Sequence, residues 1–166
     1  MVDFFNKRNS LILEIYFMNR SLYMKIAIAC DHAAFKTKEH LKKILDDMKV
    51  PYFDFGTHSE ESCDYPDFAH PLAKAIEEGK YDLGITLCGS GNGINMVVNK
   101  YQKIRGALCW NTEIAKLART HNNANVCAIP ARFVRLEDAE KIMKVFLNTK
   151  FEGGRHQVRI DKIPVR

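Results

Sequence analysis

From residue 24 onward, short apolar runs rich in strand-forming residues alternate regularly with segments of helical periodicity. The first run, "MKIAIAC", is followed over residues 34–49 by apolar residues at helical spacing, and this change of period recurs to residue 148. Such alternation indicates βαβ units around a buried parallel sheet. We therefore expect residues 24–149 to form an α/β fold: a single three-layer α/β/α, Rossmann-like domain with a five-stranded parallel sheet. Strands are predicted over 24–30, 51–56, 82–88, 103–110 and 125–130, and helices over 34–49, 66–79, 94–101, 112–121 and 136–148.

The two ends of the chain fall outside this alternation. Residues 1–23 precede a second methionine that leads directly into the first predicted strand, so we interpret them as an N-terminal extension. Their apolar stretch "SLILEIYFM" is shorter than the roughly 18 residues of a membrane helix and lacks a small-residue cleavage site, so no membrane association is expected. Residues 150–166 are predicted to be a basic C-terminal arm, in which Arg155 and Arg159 lie on one side of a helical turn.

The net charge of +5 is concentrated in this arm. Residues 150–166 carry +3, whereas residues 24–149 and 1–23 carry only +1 each. A short basic segment suits a small anionic ligand better than a polynucleotide, so nucleic-acid binding is disfavoured.

The cysteines indicate a reducing, cytoplasmic setting. They are odd in number, form no C-x-x-C pair, and four of them lie inside or at the ends of apolar runs, as buried free thiols do. This pattern argues against a disulfide framework or a zinc knuckle, and no metal site is expected. The five are Cys30, Cys63, Cys88, Cys109 and Cys127.

The segment "LCGSGNGI" (87–94) places a cysteine directly before three glycines at alternate positions. This G-x-G-x-G spacing matches neither the dinucleotide fingerprint nor the phosphate loop of nucleotide triphosphatases. Glycines let the backbone approach a ligand closely, and the helix predicted to follow directs its free N–H groups at the same place. Such amides bind anions, including an oxyanion that forms during a reaction, and they would favour a Cys88 thiolate acting as base or nucleophile. The structural alternative is an inert thiol beside a tight turn.

Further candidate residues lie at strand and helix ends. Ligands of open parallel sheets bind at the carboxyl ends of the strands. Asp31 and His32 follow the first predicted strand as Cys88 follows the third, so two polar clusters meet if these strands are neighbours. His121 and Asn122 close a helix, where a histidine often only interacts with the helix carboxyl terminus. Each residue alone has a structural explanation, but together they indicate a site for an anionic ligand. Three arginines complete the set: Arg132, Arg155 and Arg159.

Five segments occur in an order that resembles a known family. They are "CDHAAFKTKEHL", "DYPDFA", "CGSGNGI", "RTHNNANV" and "EGGRHQVRI". Over residues 24–159 the chain resembles the type B ribose-5-phosphate isomerases, a family that also includes galactose-6-phosphate and allose-6-phosphate isomerases. The resemblance implies a homodimer, or a dimer of dimers, with active sites shared between subunits. It also implies interconversion of D-ribose 5-phosphate and D-ribulose 5-phosphate through an enediolate, without metal or cofactor.

The resemblance also implies roles for individual residues. Cys88 matches the family's general base, and His121 matches the acid that opens the furanose ring. Another branch of the family uses a glutamate at the position of Ile94, so this chain resembles the cysteine branch. The loop whose amides hold the enediolate matches Gly89, Ser90, Gly91, Asn92 and Gly93. Asp31, His32, Tyr65 and Asn122 match sugar contacts, and Arg132, Arg155 and Arg159 match groups that bind the phosphate or neighbouring hydroxyls, partly from the partner subunit.

Two other functions stay open at the level of sequence. The sequence only weakly distinguishes ribose 5-phosphate from allose 6-phosphate or galactose 6-phosphate as the substrate. Galactose-6-phosphate isomerases usually need two different subunits, and their sequences often differ at the cysteine loop. A non-catalytic α/β module that binds a nucleotide or flavin would have no need of Cys88.

Overall fold

The computed structural model of the protein describes residues 24–164, so the predicted extension over 1–23 and the last two residues of the arm lie outside the described residues. The five strands are β1 (Ile26–Cys30), β2 (Tyr52–Asp54), β3 (Leu83–Cys88), β4 (Gly106–Leu108) and β5 (Val126–Pro130). The α-helices of this range are α1 (Phe35–Asp47), α2 (Tyr65–Glu77), α3 (Asn92–Val98), α4 (Thr112–Asn122), α5 (Leu136–Asn148) and α6 (Arg155–Ile160). A 3-10 turn, His32–Ala34, joins β1 to α1. Within the described range, no helix combines the length and apolar character that a bilayer span requires.

All strand pairs are parallel, in the order β2-β1-β3-β5-β4. The three central strands are buried along their whole length, which explains their continuous apolar runs. β1 and β3 are neighbours, with Ile26 opposite Leu83 and Cys30 opposite Leu87. The predicted sheet is therefore confirmed, and the carboxyl ends of the first and third strands meet as the sequence suggested.

Helices cover both faces of the sheet. On one face α1, α4 and α5 contribute Leu41, Ala115 and Ile142 to the core. On the other face α2 and α3 contribute Leu72 and Ile94. The three-layer arrangement is thus confirmed.

The edge strands and α3 differ from their predicted bounds. β2 and β4 are three residues each, shorter than their apolar runs, because each lies at an edge and pairs on one side only. α3 begins at Asn92 instead of residue 94, since Gly91 adopts a left-handed conformation (φ +73°) that turns the chain directly into the helix.

A buried lysine holds the chain just after β2. Lys38 on α1 is fully buried, and its Nζ donates to the two carboxylate oxygens of Asp54 at 2.7 and 2.6 Å and to the Thr57 carbonyl oxygen at 2.6 Å. Burial alone would raise the pKa of Asp54, but hydrogen bonds from Lys38 and Lys42 outweigh it and hold that pKa below its usual range. These bonds anchor the start of segment 55–64, which leads to the candidate site.

Replacing this lysine is expected to destabilise the fold strongly. Lys38→Met leaves the partly buried Asp54 carboxylate with Lys42 as its remaining lysine partner, so the free energy of unfolding at pH 7 should fall by about 3 kcal/mol in urea titrations. Because the Asp54 pKa is depressed in the folded state, the carboxylate stabilises the fold above about pH 4 and this contribution is lost as the pH falls further. The matched control, Lys36→Met on the same helix, removes a lysine whose side chain is 79% exposed and should cost under about 0.5 kcal/mol. Equal losses in both variants would contradict this account.

Candidate active site

Cys88 lies at the carboxyl end of β3 with its sulfur facing the glycine loop. The residue is buried, and its Sγ accepts a hydrogen bond from the Gly91 N–H at 3.1 Å. That N–H belongs to Gly91, which directly precedes α3 as its N-cap, so a backbone dipole points at the sulfur. The Cys88 sulfur therefore lies against a backbone amide of the glycine loop.

The three glycines leave room for three different neighbours. A Cβ on Gly89 would lie 3.3 Å from the Arg132 side chain, and one on Gly93 would lie 2.5 Å from the Tyr65 ring. Gly91 turns the chain at positive φ and would clash with Leu108 if it carried a side chain. The loop therefore brings Arg132 and Tyr65 against the two ends of the segment that follows Cys88.

The segment after β1 completes this edge of the sheet. Asp31 is buried, and its Oδ1 accepts from the Ala34 N–H at 3.2 Å. The Nδ1 of His32 lies 3.2 Å from both the N and the O of Cys63, and 3.9 Å from the Cys63 Sγ. Asp31 and His32 are thus fixed at the same edge as Cys88, because the Asp31 N–H also donates to the Leu87 carbonyl oxygen at 3.1 Å.

The remaining predicted residues lie at the opposite, amino edge of the sheet. His121 and Asn122 end α4, and the Asn122 carbonyl oxygen accepts from Arg105 Nε at 3.0 Å, just before β4 begins. α6 lies beside them, since the ring of His156 stacks on that of His121 with a centroid separation of 4.2 Å and an interplanar angle of 9°. Arg155 and Arg159 are exposed on α6, and within residues 24–164 no ion pair involves either one.

The structure therefore divides the predicted site into two half-sites. The carboxyl-edge half-site carries Cys88, which pairs in register with Pro130 at the end of β5, whereas the amino-edge half-site lies where β5 begins. Five residues of strand separate the two by on the order of 15 Å. Cys88 and His121 of one chain are thus too far apart to act on neighbouring carbons of one sugar. The carboxyl-edge half-site comprises Asp31, His32, Tyr65, Cys88, Gly89, Ser90, Gly91, Asn92, Gly93 and Arg132; the amino-edge half-site comprises His121, Asn122, Arg155 and Arg159.

Two histidine contacts were missed by sequence reasoning. The spacing of Cys63 and His32 in the sequence does not indicate a contact, but the fold places the two side chains against each other. His156 was given no role, although it lies within "EGGRHQVRI". The signal was the Gly-Gly pair: Gly153 and Gly154 both adopt positive φ (70° and 56°) and turn the chain so that α6 packs on α4.

Other cysteines behave as core residues, as predicted. Cys30 is fully buried, and burial raises its pKa to about 12. Burial likewise raises the pKa of Cys127 well above its ordinary value. Neither thiol is suited to act as a base near neutral pH.

One cluster has the composition of a metal site. Single ligand atoms of His121, Glu152 and His156 lie within 4.8 Å of one another, a grouping that was not predicted from the sequence. The two imidazole planes are nearly parallel, however, so their in-plane lone pairs do not converge on one point as tetrahedral ligation requires. The positive charges of Arg155 and Arg159 lie close enough to His156 to lower its pKa, and they would also repel a bound cation. The cluster is therefore poorly arranged for a divalent ion.

We accordingly expect activity without metal. Dialysis against a strong chelator should leave kcat and KM unchanged. A matched Glu152→Gln variant removes one potential ligand and should respond to the chelator as the wild type does. A rate that is lost on dialysis and restored by one divalent ion in the wild type alone would assign a metal to this cluster.

Comparison with known proteins decides the family. Residues 26–163 match the family described as Ribose/Galactose Isomerase. The chain belongs to this family. The predicted resemblance is thus confirmed over nearly the whole of the described chain.

Individual relatives and solved structures agree with this family assignment. The chain is 42% identical over 139 residues to ribose-5-phosphate isomerase B of Escherichia coli K12. The aligned region covers 84% of this chain and 93% of that protein. A ribose 5-phosphate isomerase structure from Thermotoga maritima superimposes with a TM-score of 0.83 at 48% identity, covering 85% of this chain and 97% of the other. The ribose-5-phosphate isomerase B of Mycoplasma genitalium with bound ribulose-5-phosphate gives a TM-score of 0.82 at 40% identity, covering 85% and 94%. The Ribose/Galactose Isomerase fold therefore extends across the described residues.

Proposed function

We propose that this protein is an aldose–ketose isomerase that interconverts D-ribose 5-phosphate and D-ribulose 5-phosphate, a reaction of the non-oxidative pentose phosphate pathway. The observation that carries the proposal is the Cys88 sulfur that accepts a loop N–H at the carboxyl edge, with Arg132 and Tyr65 against the two ends of the loop. The Escherichia coli relative and the ribulose-5-phosphate complex of the Mycoplasma protein support this substrate. The reducing cytoplasm is the proposed setting, because all five cysteines are free.

Cys88 is the proposed general base. Its thiolate removes the proton from C2 of the open-chain aldose, and the electron pair moves onto the C1 oxygen to give the enediolate. The thiol then returns the proton to C1, while the proton of the C2 hydroxyl moves to the C1 oxygen. The amides of the loop from Gly89 to Gly93 stabilise the charge on the enediolate oxygens, so the reaction needs neither metal nor cofactor.

His121 is the proposed acid for the preceding step. The furanose ring opens when the C1 hydroxyl loses its proton, the ring oxygen gains one and the C1–O4 bond breaks. An imidazole at the ring oxygen supplies the proton for that bond cleavage. Asp31, His32, Tyr65 and Asn122 are the proposed sugar contacts.

The separation of the half-sites supports a shared active site. A dimer in which the amino edge of one chain covers the carboxyl edge of its partner places His121 of one subunit beside Cys88 of the other. Exposed apolar side chains border both half-sites: Phe133, 78% exposed, follows Arg132, and Val158, 58% exposed, precedes Arg159. A homodimer, alone or as a dimer of dimers, would cover them.

The C-terminal arm over 150–166 is proposed to bind the phosphate. Arg155 and Arg159 are one helical turn apart on α6, exposed and outside any ion pair of residues 24–164, so both guanidinium groups are available to an anion. Arg132 would approach the same substrate from the carboxyl edge of the partner subunit.

A coupled assay tests the proposed substrate. The wild type should convert ribose 5-phosphate with a higher kcat/KM than allose 6-phosphate. A preference for allose 6-phosphate would support the six-carbon alternative. Turnover of neither compound, in a protein that is folded and dimeric, would overturn the proposed reaction.

Subunit mixing tests whether the site is shared. Arg155→Ala should raise KM about 10- to 100-fold, since a hydrogen bond to a charged group contributes about 1.5–3 kcal/mol. A mixture with Cys88→Ala chains should regain up to about a quarter of wild-type activity, because half of the exchanged dimers carry one intact site. Arg132→Ala is the matched control. Because Arg132 and Cys88 lie at the same carboxyl edge of one chain, a mixture of Arg132→Ala and Cys88→Ala chains should not regain activity. Free exchange without regained activity in the first mixture would place Arg155 and Cys88 in the same chain's site.

A further inference from the structure

His156 is buried beside the amino-edge half-site, and the proposed reaction does not use it. Only 6% of the residue is exposed, although α6 itself lies at the surface. Its ring lies flat on His121, with a centroid separation of 4.2 Å and an interplanar angle of 9°. A flat contact of this kind restricts rotation of the His121 ring about its Cβ–Cγ bond.

The contact is fixed by the backbone on both sides. The Glu152 N–H donates to the Thr120 carbonyl oxygen at 3.0 Å, which ties the arm to the residue next to His121. The His156 N–H donates to the Gly153 carbonyl oxygen at 3.1 Å, and the His156 Nε2 lies 3.7 Å from a Glu152 carboxylate oxygen. Contacts other than the one with His121 therefore also hold His156 in place.

The surroundings favour a neutral His156. Burial lowers its pKa, and the neighbouring charges of His121, Arg155 and Arg159 lower it further, against the opposite effect of Glu152. Two positively charged rings at a centroid separation of 4.2 Å would repel each other, so the stacked geometry suits a neutral His156.

We propose that His156 is a positioning residue that holds the His121 imidazole by flat stacking in the orientation needed for ring opening. This inference rests on the proposed function, in which His121 donates a proton to the ring oxygen. His156 itself transfers no proton to the sugar. Its effect should therefore follow the shape of its ring and not its ability to be protonated.

Two substitutions separate ring shape from proton transfer. His156→Ala removes the stacking surface and should lower kcat on ribose 5-phosphate roughly 10-fold, since small misplacements of catalytic groups are costly. His156→Phe keeps a flat ring and should stay within about threefold of wild type. Exchange of solvent deuterium into ribulose 5-phosphate reports the proton transfer at carbon without ring opening, and both variants should retain it.

The outcomes distinguish this inference from the proposed function. If His121→Ala itself does not slow turnover of ribose 5-phosphate, the proposed role of His121 fails. If His121→Ala is slow but His156→Ala is as fast as wild type, positioning by stacking is overturned. It is equally overturned if His156→Ala is slow and His156→Phe is just as slow. A merely structural role would lower the melting temperature of His156→Ala while slowing ribose 5-phosphate turnover and deuterium exchange by the same factor. As an independent readout, the NMR titration of His156 should move up towards the ordinary histidine pKa in His121→Ala, because one of the charges that lowers it is gone.

Discussion

Cys88→Ala is expected to remove nearly all isomerase activity while leaving the fold intact. The substitution deletes the thiolate that takes the proton from carbon, and general bases contribute roughly 10²- to 10⁴-fold to rate. The loss should appear in kcat and equally in deuterium exchange into ribulose 5-phosphate, since both depend on the same proton transfer. Circular dichroism and the oligomeric state should match those of the wild type, because alanine fills most of this strand-end position.

The chain offers a matched control for this substitution. Cys63 is a second thiol at the same edge of the sheet, but its backbone, not its sulfur, makes the closer contacts to His32. Cys63→Ser should therefore retain most of the activity. Cys88→Ala activity within a few-fold of wild type, or a loss in Cys63→Ser as large as that in Cys88→Ala, would end the hypothesis that Cys88 is the base.

His121→Ala should affect the ring-opening step selectively. Turnover of ribose 5-phosphate, which exists largely as a furanose, should fall by roughly 10²-fold or more, within the usual range for a general acid. Deuterium exchange into ribulose 5-phosphate should fall much less, because the ketose is open-chain and the exchange needs only Cys88. The ratio of the two rates, measured on the same preparation, is the diagnostic quantity.

Its control is the neighbouring residue on the same helix end. Asn122→Ala removes a proposed sugar contact without removing the acid, so it should raise KM and lower both rates to a similar extent. Equal losses of turnover and exchange in His121→Ala would show that His121 binds or organises the substrate and does not open the ring.

Much of the fold followed from local pattern. The continuous apolar runs of β1, β3 and β5 predicted buried parallel strands, and the helix over 136–148 was placed at its observed bounds, because burial imposes a regular period on the sequence. The edge strands were predicted too long. Each pairs on one side only, and its pairing ends at Asp54 in β2 and at Leu108 in β4, before the apolar run ends.

The carboxyl-edge half-site was also accessible from the sequence. Parallel strands bring their carboxyl ends to one edge, so Asp31, His32 and Cys88 were expected together once β1 and β3 were taken as neighbours. The glycines at 89, 91 and 93 signalled close approach, but their reasons, Arg132 at one end and Tyr65 at the other, depend on side chains distant in the chain.

By itself the sequence determined a five-stranded α/β domain, the Cys88 loop and the family to which the chain belongs. The tertiary structure located His121 and Cys88 of one chain at opposite edges of the sheet, and it alone decided that His156 stacks on His121. The physical reason for the stacking is that α6 packs on α4 through contacts between residues distant in the chain, which local periodicity does not encode. The opposite edges follow from the parallel sheet itself, because the helix of a βαβ unit runs back to the amino edge. A helix that returns from the carboxyl to the amino edge carries its last residues about 15 Å away from the strand ends that precede it.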